Sequence, residues 1–169
     1  MPNLISSYVK FIDGITSIIG KVTMYLVFVM MFILVLSFVT RNIINFPLIW
    51  IIEMAQFTMT AYYLMGGAYS MMDDQHVRMD LVYGSLSEKN KAKMDLFTSS
   101  FLIFYLIILL LGSYSSLIYT IETNQKLFTA WAPYVWPIKC IMSMGILLML
   151  LQSFSVFFKD LAKVRGLKI

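Results

Sequence analysis

The sequence predicts an all-α integral membrane protein with four transmembrane helices, and three observations carry that prediction. Charged residues make up only 13% of a 169-residue chain that is 60% hydrophobic, about half the charged share of a soluble domain. The charges are widely separated: 19 uncharged residues lie between Lys21 and Arg41, Glu53 and Asp73, and Lys139 and Lys159, and 26 between Asp95 and Glu122. A helix needs roughly 20 mostly apolar residues to cross the hydrocarbon, and each gap supplies them. The ten-residue alternation of a membrane barrel is missing, and an isolated strand cannot satisfy its backbone in lipid, so each gap reads as a helix.

The elements follow in order within a single membrane domain, residues 1–169. Ile5, Tyr8, Ile12, Ile15, Ile19 and Val22 recur at three- and four-residue steps, which predicts an amphipathic helix over 1–21, lying along the cytoplasmic interface and running into the first span at about 22–40. "NFPLIW" then makes a short external turn in which Pro47 and Trp50 start the second helix, about 50–72. That span carries Glu53 at its outer end and Gly66-Gly67 near its inner end, where small residues permit close helix contact. A cytoplasmic loop over 73–95 includes a helix start, capped by Ser85 with Glu88 or equally well by Ser87, that leads into the third span at about 96–120. In the next outer loop Trp131, Tyr134 and Trp136 reach headgroup level, and Pro137 fits the first turn of the fourth span, about 137–158. A tail over 159–169 closes the chain.

Lysine and arginine set the orientation. Ten of them (Lys10, Lys21, Arg78, Lys89, Lys91, Lys93, Lys159, Lys163, Arg165 and Lys168) fall on the side of the termini, against Arg41, Lys126 and Lys139 on the other. Both termini are therefore expected in the cytoplasm. The net charge of +4 serves topology and attraction to membrane lipids of anionic headgroup, and no basic-aromatic patch points to nucleic acid. The first apolar run begins too far into the chain for a secretory signal and lacks an A-x-A-like cleavage site, so it is expected to be retained. One cysteine, Cys140, leaves no intramolecular disulfide and reads as a packing residue.

The inventory for chemistry is poor. One histidine gives no bis-His haem site, and one cysteine gives no C-x-x-C thiol chemistry. His76 with Asp73, Asp74 and Asp80 is an oxygen-heavy set on a loop, better suited to anchoring that loop than to zinc. No catalytic, metal, cofactor or substrate site is expected, and the chain is not read as an enzyme. A self-sufficient transporter places ionisable residues or broken helices near the midplane, whereas the middles of these four spans hold neither charge nor proline. Apolar spans, small-residue contacts and an interfacial helix suit an accessory subunit, with a small homo-oligomeric four-helix transporter as the alternative. Arg41 and Glu53, at the outer ends of neighbouring helices, have the geometry for an ion pair closing that hairpin or for contact with a partner subunit.

In "MMDDQHVRMD", Met71-Met72 finish the second span and Asp73-Asp74-Gln75 release it into water. Val77, Met79 and Leu81 alternate with His76, Arg78 and Asp80, which suits an extended segment on the membrane surface; a helical continuation that brings His76 and Asp80 together is the rival. Either way the expected role is to turn the chain and pin the loop helix.

Several stretches then carry a resemblance. "RNIINFPLIWIIEMAQF", "MGGAYSMMDDQHVRMDLVYGSLSEKNK" and "TAWAPYVWPIKCIMSMGILLMLLQSF" resemble the small membrane subunit (DctQ-like) of tripartite ATP-independent periplasmic (TRAP) transporters. The matching elements are Arg41 closing the first span, Trp50 and Glu53 opening the second, Gly67-Ala68 followed by His76-Val77-x-x-Asp80-Leu81, the Leu86-Ser87 helix start, and Trp131 to Pro137. They occur in the family's order across most of the chain.

The resemblance implies a role beside two partners, a large TRAP membrane subunit and a periplasmic substrate-binding protein that captures an organic acid such as a sialic acid or a dicarboxylate. It implies that the large subunit moves the substrate inward on a sodium gradient, and that the small one extends its stationary scaffold and binds no substrate or cofactor itself. Arg41, Trp50, Glu53, Gly66, Gly67, His76, Arg78 and Asp80 become the structural or subunit-interface candidates. Phe46, Lys126 and Trp131 become candidate contacts to the periplasmic protein.

Overall fold

The computed structural model describes residues 3–46, 48–73 and 88–165. They form four helices: α1 (Asn3–Asn42), α2 (Ile51–Met72), α3 (Glu88–Glu122) and α4 (Trp136–Arg165). Each is antiparallel to the next in the chain. Gly20 and Thr23 of α1 meet Tyr69 and Gly66 of α2; Ser113 of α3 meets Ser143 of α4, while Ser116 and Thr120 of α3 meet Lys139. α4 packs against all three other helices, and a core of Met71, Leu106 and Leu150 ties α2, α3 and α4 together. The first turn of α1 and the last turn of α4 consequently lie at the same end of the bundle.

Among the described residues three helical segments are long and apolar enough to cross a membrane: Ile5–Asn42, Lys93–Glu122 and Trp136–Ala162. α2 has the length, since its 22 residues span about 33 Å. It falls short in apolarity because Glu53, Gln56, Thr58, Thr60, Tyr62, Tyr63 and the Gly66-Gly67 pair dilute its aliphatic side chains.

The amphipathic segment and the first span expected from the sequence are one unbroken helix of 40 residues. Its buried line is also rotated from the expected face. Val9, Ile12, Thr16, Gly20 and Thr23 are buried, while Val22, Phe11 and Ile18 point outward. The reason is physical: in lipid, apolar side chains gain little by turning inward, so small and hydrogen-bonding residues take the helix contacts. The same inversion leaves Phe28, Phe32 and Phe38 of α1 and Phe97, Phe101, Phe104 and Leu111 of α3 exposed. Hydroxyls along the apolar segments bond back to carbonyls one turn earlier, as Thr40 does to Leu36, Thr58 to Met54 and Ser153 to Met149.

The α1–α2 and α3–α4 turns share a device. Asn45 and Asn124 both adopt left-handed backbone, with φ of 54° and 46°, a region asparagine tolerates better than most residues. Phe46 N–H then reaches back to Thr40 O at 3.0 Å, and Gln125 N–H to Thr120 O at 3.2 Å, closing the ends of α1 and α3.

Candidate functional site

Polar groups in this bundle are concentrated at helix contacts. Toward the end where α1 begins, the Asp13 carboxylate accepts hydrogen bonds from Gln152 Nε2 (2.9 Å), Ser155 Oγ (3.0 Å) and Lys159 Nζ (2.5 Å). Gln152 is fully buried, and its Oε1 accepts the Thr16 hydroxyl at 2.8 Å. Each polar atom of that amide pair therefore meets a partner of opposite sense, which makes the burial tolerable. Tyr8 adds a bond from its hydroxyl to Leu151 O at 3.2 Å and an edge contact to Phe158. The cluster fixes the register of α1 on α4.

A second cluster holds the opposite end of α4. Lys139 Nζ donates to Ser116 Oγ at 2.8 Å and to Thr120 Oγ1 at 2.5 Å. Thr120 is fully buried and also bonds to Ser116 O. Between the two ends of the α3–α4 contact, the Ser113 and Ser143 hydroxyls share a bond of 2.7 Å. The charges at Lys139 and Lys159, which bound the fourth apolar gap in sequence, thus serve as clamps to α3 and α1 respectively.

Close backbone approaches complete the frame. A methyl group at Gly145 would stand 2.9 Å from Leu64 Cβ and 3.1 Å from its carbonyl carbon. One at Gly20 would fall inside the Tyr69 side chain at its ring and Cβ. Gly66 and Gly67 face different neighbours: a methyl group added at Gly66 would lie 3.6 Å from Thr23 of α1, and one at Gly67 would lie 3.0 Å from the Met149 sulfur on α4. The tightest crossings are therefore at Gly20 and Gly145.

The end of the bundle where α1 and α3 finish holds the remaining candidates that lie among the described residues. Trp50 caps α2 in right-handed backbone without a side-chain cap bond. Arg41, in the last turn of α1, is exposed. Glu53, in the first turn of α2, is only 5% exposed, and its Oε2 has no hydrogen-bond partner. No bond joins Arg41 to Glu53 among the described residues, so the expected ion pair across the hairpin is not formed within this chain. Phe46 is exposed beside the α1 turn. Lys126 pairs with Tyr134 in an isolated antiparallel bridge and sets its ammonium 4.7 Å from the Tyr134 ring centre. Leu127 N–H to Pro133 O and Val135 N–H to Gln125 O continue this small hairpin, which presents Phe128 and Trp131 outward. Its left-handed residue is Ala132, with φ 47°. His76, Arg78 and Asp80 lie outside the described residues, as do Pro47 and the Ser85 and Ser87 cap positions. Among the described residues no group of three or more His, Cys, Asp or Glu side chains is placed to hold a metal ion.

Sequence reasoning missed Asp13, Lys159, Gly20 and Gly145. A signal was present for one pair: Asp13 and Thr16 share a helical face with Gly20, and that line of polar and small residues is what a membrane helix turns toward its neighbours.

A search of curated proteins returns no match. The family model described as "Tripartite ATP-independent periplasmic transporters, DctQ component" matches residues 17–163. That interval begins just after Thr16 on α1, runs through the α1–α2 and α3–α4 turns and ends past Lys159 of α4, and so takes in nearly the whole bundle. With three apolar helices of membrane-crossing length, this is a multi-pass inner-membrane protein, and the chain belongs to the DctQ family of TRAP transporter components.

Proposed function

We propose that this chain is the accessory scaffold subunit of a sodium-driven secondary transporter that depends on a periplasmic binding protein and imports an organic acid such as a sialic acid or a dicarboxylate. The observation that carries this reading is the family match over residues 17–163. In this role the chain binds and stabilises the large membrane subunit and leaves substrate and sodium to it. The geometry of α4 supports the assignment: Gln152, Ser155 and Lys159 bond to α1, and Lys139 and Ser143 bond to α3. Polar groups used in this way lock helices together, which suits a part that must not tilt while its partner moves.

All four helices cross the membrane, α2 included, because its packing against α1 and α4 covers part of its polar surface. Both termini are cytoplasmic, in keeping with the excess of Lys and Arg at that end and with α1 and α4 starting and finishing together. The basic residues there anchor the bundle to membrane lipids. His76, Arg78 and Asp80 pin the cytoplasmic loop, and Phe46, Lys126 and Trp131 face the binding protein.

Affinity purification of this chain from its native membrane in mild detergent tests the assignment. A larger polytopic protein recovered at equal stoichiometry is the expected result. A stable oligomer of this chain alone that transports in liposomes would replace the accessory role with that of a small homo-oligomeric transporter.

A further inference from the structure

α2 is the helix whose outward face is wrong for lipid. Ile52, Gln56, Met59 and Tyr63 are its exposed residues within the helix, spaced four, three and four apart, and so form one stripe along it. α1 packs on one side of this stripe through Tyr69 and Gly66, and α4 on the other through Leu64, Gly67 and Met71. Exposed hydroxyls elsewhere are easily accommodated, because Thr98 and Ser100 on α3 bond back to Met94 O and Leu96 O. A glutamine cannot dispose of its amide that way: it brings two donors and an acceptor oxygen, and the Gln56 side chain finds no partner among the described residues. By contrast, the outward stripe of α1 is Phe28, Phe32, Val35 and Phe38, which lipid covers without loss.

One turn above Gln56 stands Glu53, 5% exposed, with its Oε2 unpartnered. Residues three apart on a helix are neighbours, so the buried Glu53 carboxyl lies beside the exposed Gln56 amide, at the margin of the stripe. A buried carboxylate left without a donor is costly, and lipid cannot supply one. Protein can.

We infer that the Ile52–Gln56–Met59–Tyr63 face of α2 is the docking surface for a membrane-spanning helix of the large subunit, and that this helix brings a cationic hydrogen-bond donor to Glu53. The inference rests on the reading of this chain as an accessory subunit and specifies which face does the work. Met59 and Tyr63 provide the apolar contact, Met59 being adaptable to the shape of the incoming helix. Gln56 and Glu53 set its register and its depth in the membrane.

The test is site-specific photocrosslinking in native membranes, with a benzoylphenylalanine placed singly at Met59, Tyr63, Phe32 or Phe104. Adducts with the large subunit are expected from Met59 and Tyr63 and not from Phe32 or Phe104. Adducts from Phe32 or Phe104 with none from α2 would overturn the inference and leave the accessory reading intact. Failure to recover the large subunit with any variant under purification would instead defeat the accessory reading. In parallel, Gln56→Leu and Glu53→Gln are each expected to lower the co-purified large subunit at least about fivefold, while Phe104→Leu, on the exposed face of α3, leaves it unchanged. If Gln56→Leu bound as well as the parent, the stripe would face lipid and the inference would fall. Loss of the large subunit with Phe104→Leu would place the contact on α3 and equally refute it.

Discussion

Replacing Asp13 by alanine removes the acceptor on which three donors from α4 converge. Two of them, Gln152 and Ser155, are fully buried, whereas Lys159 and Asp13 retain 31% and 26% of their side-chain exposure. The contributions differ accordingly. Leaving a buried donor unsatisfied costs about 1–3 kcal/mol, and hydrogen bonds between membrane helices average about 0.6 kcal/mol. Stranding the Gln152 amide and the Ser155 hydroxyl together should therefore cost about 2 kcal/mol. The Lys159 pair, reached by solvent, adds at most about 1 kcal/mol. Asp13→Asn keeps an oxygen for Gln152 and Ser155 and gives up the charge alone, so it should lose no more than about 1 kcal/mol. For a chain of this size 1 kcal/mol shifts a melting midpoint by roughly 2–4 °C. The alanine variant should then melt roughly 4–12 °C lower and the asparagine variant no more than roughly 4 °C lower. Cys140 is the sole cysteine and is half-buried on α4, so a fluorogenic thiol dye reports the melting directly. Equal losses in the two variants, both abolished by high salt, would show that the ion pair is the whole interaction. An unchanged midpoint in Asp13→Ala would show that the cluster does not hold α1 to α4.

Three further outcomes follow from the same geometry. Gly145→Ala forces its methyl against Leu64 and should cost about 1–3 kcal/mol, while Gly112→Ala, with open space around it, should gain about 0.5–1 kcal/mol; the same dye assay distinguishes them, and equal effects would refute the close α2–α4 crossing. Lys139→Met strands Thr120 from its ammonium donor and should raise amide exchange over the last two turns of α3, at a cost of about 1 kcal/mol; unchanged exchange there would argue against the clamp. Lys126→Glu should reduce uptake driven by the binding protein with the yield of complex unaltered, and full uptake would remove Lys126 from the periplasmic contact.

The helical architecture was legible because charge spacing in lipid is a coarse and strong constraint. The gap from Asp95 to Glu122 lies within α3, and Pro137 falls in the first turn of α4 as its missing N–H allows. Registers between helices were not legible. Asp13 and Lys159 are 146 positions apart, and nothing local says that the first half of α1 meets the second half of α4. The face of α1 misled for a related reason: periodic isoleucines mark a core face in water, but in a membrane they are as well placed toward lipid. Gly66-Gly67 stood out as a pair, yet single glycines at Gly20 and Gly145 make the closer approaches, because proximity depends on where two helices cross and not on local composition. The Lys126–Tyr134 bridge was hidden in an aromatic loop whose only left-handed residue besides Asn124 is an alanine. Arg41 and Glu53 were adjacent by topology, but Glu53 is buried and Arg41 points to solvent.

Uptake into proteoliposomes measures the central claim most directly. The large subunit, the binding protein and a radiolabelled organic acid would be combined under an imposed sodium gradient, with and without this chain, beside vesicles holding this chain alone. The account predicts sodium-dependent uptake from the complete set, loss of most of it when this chain is omitted, and none from this chain by itself. Uptake by this chain alone, or full uptake by the large subunit without it, would contradict an accessory scaffold.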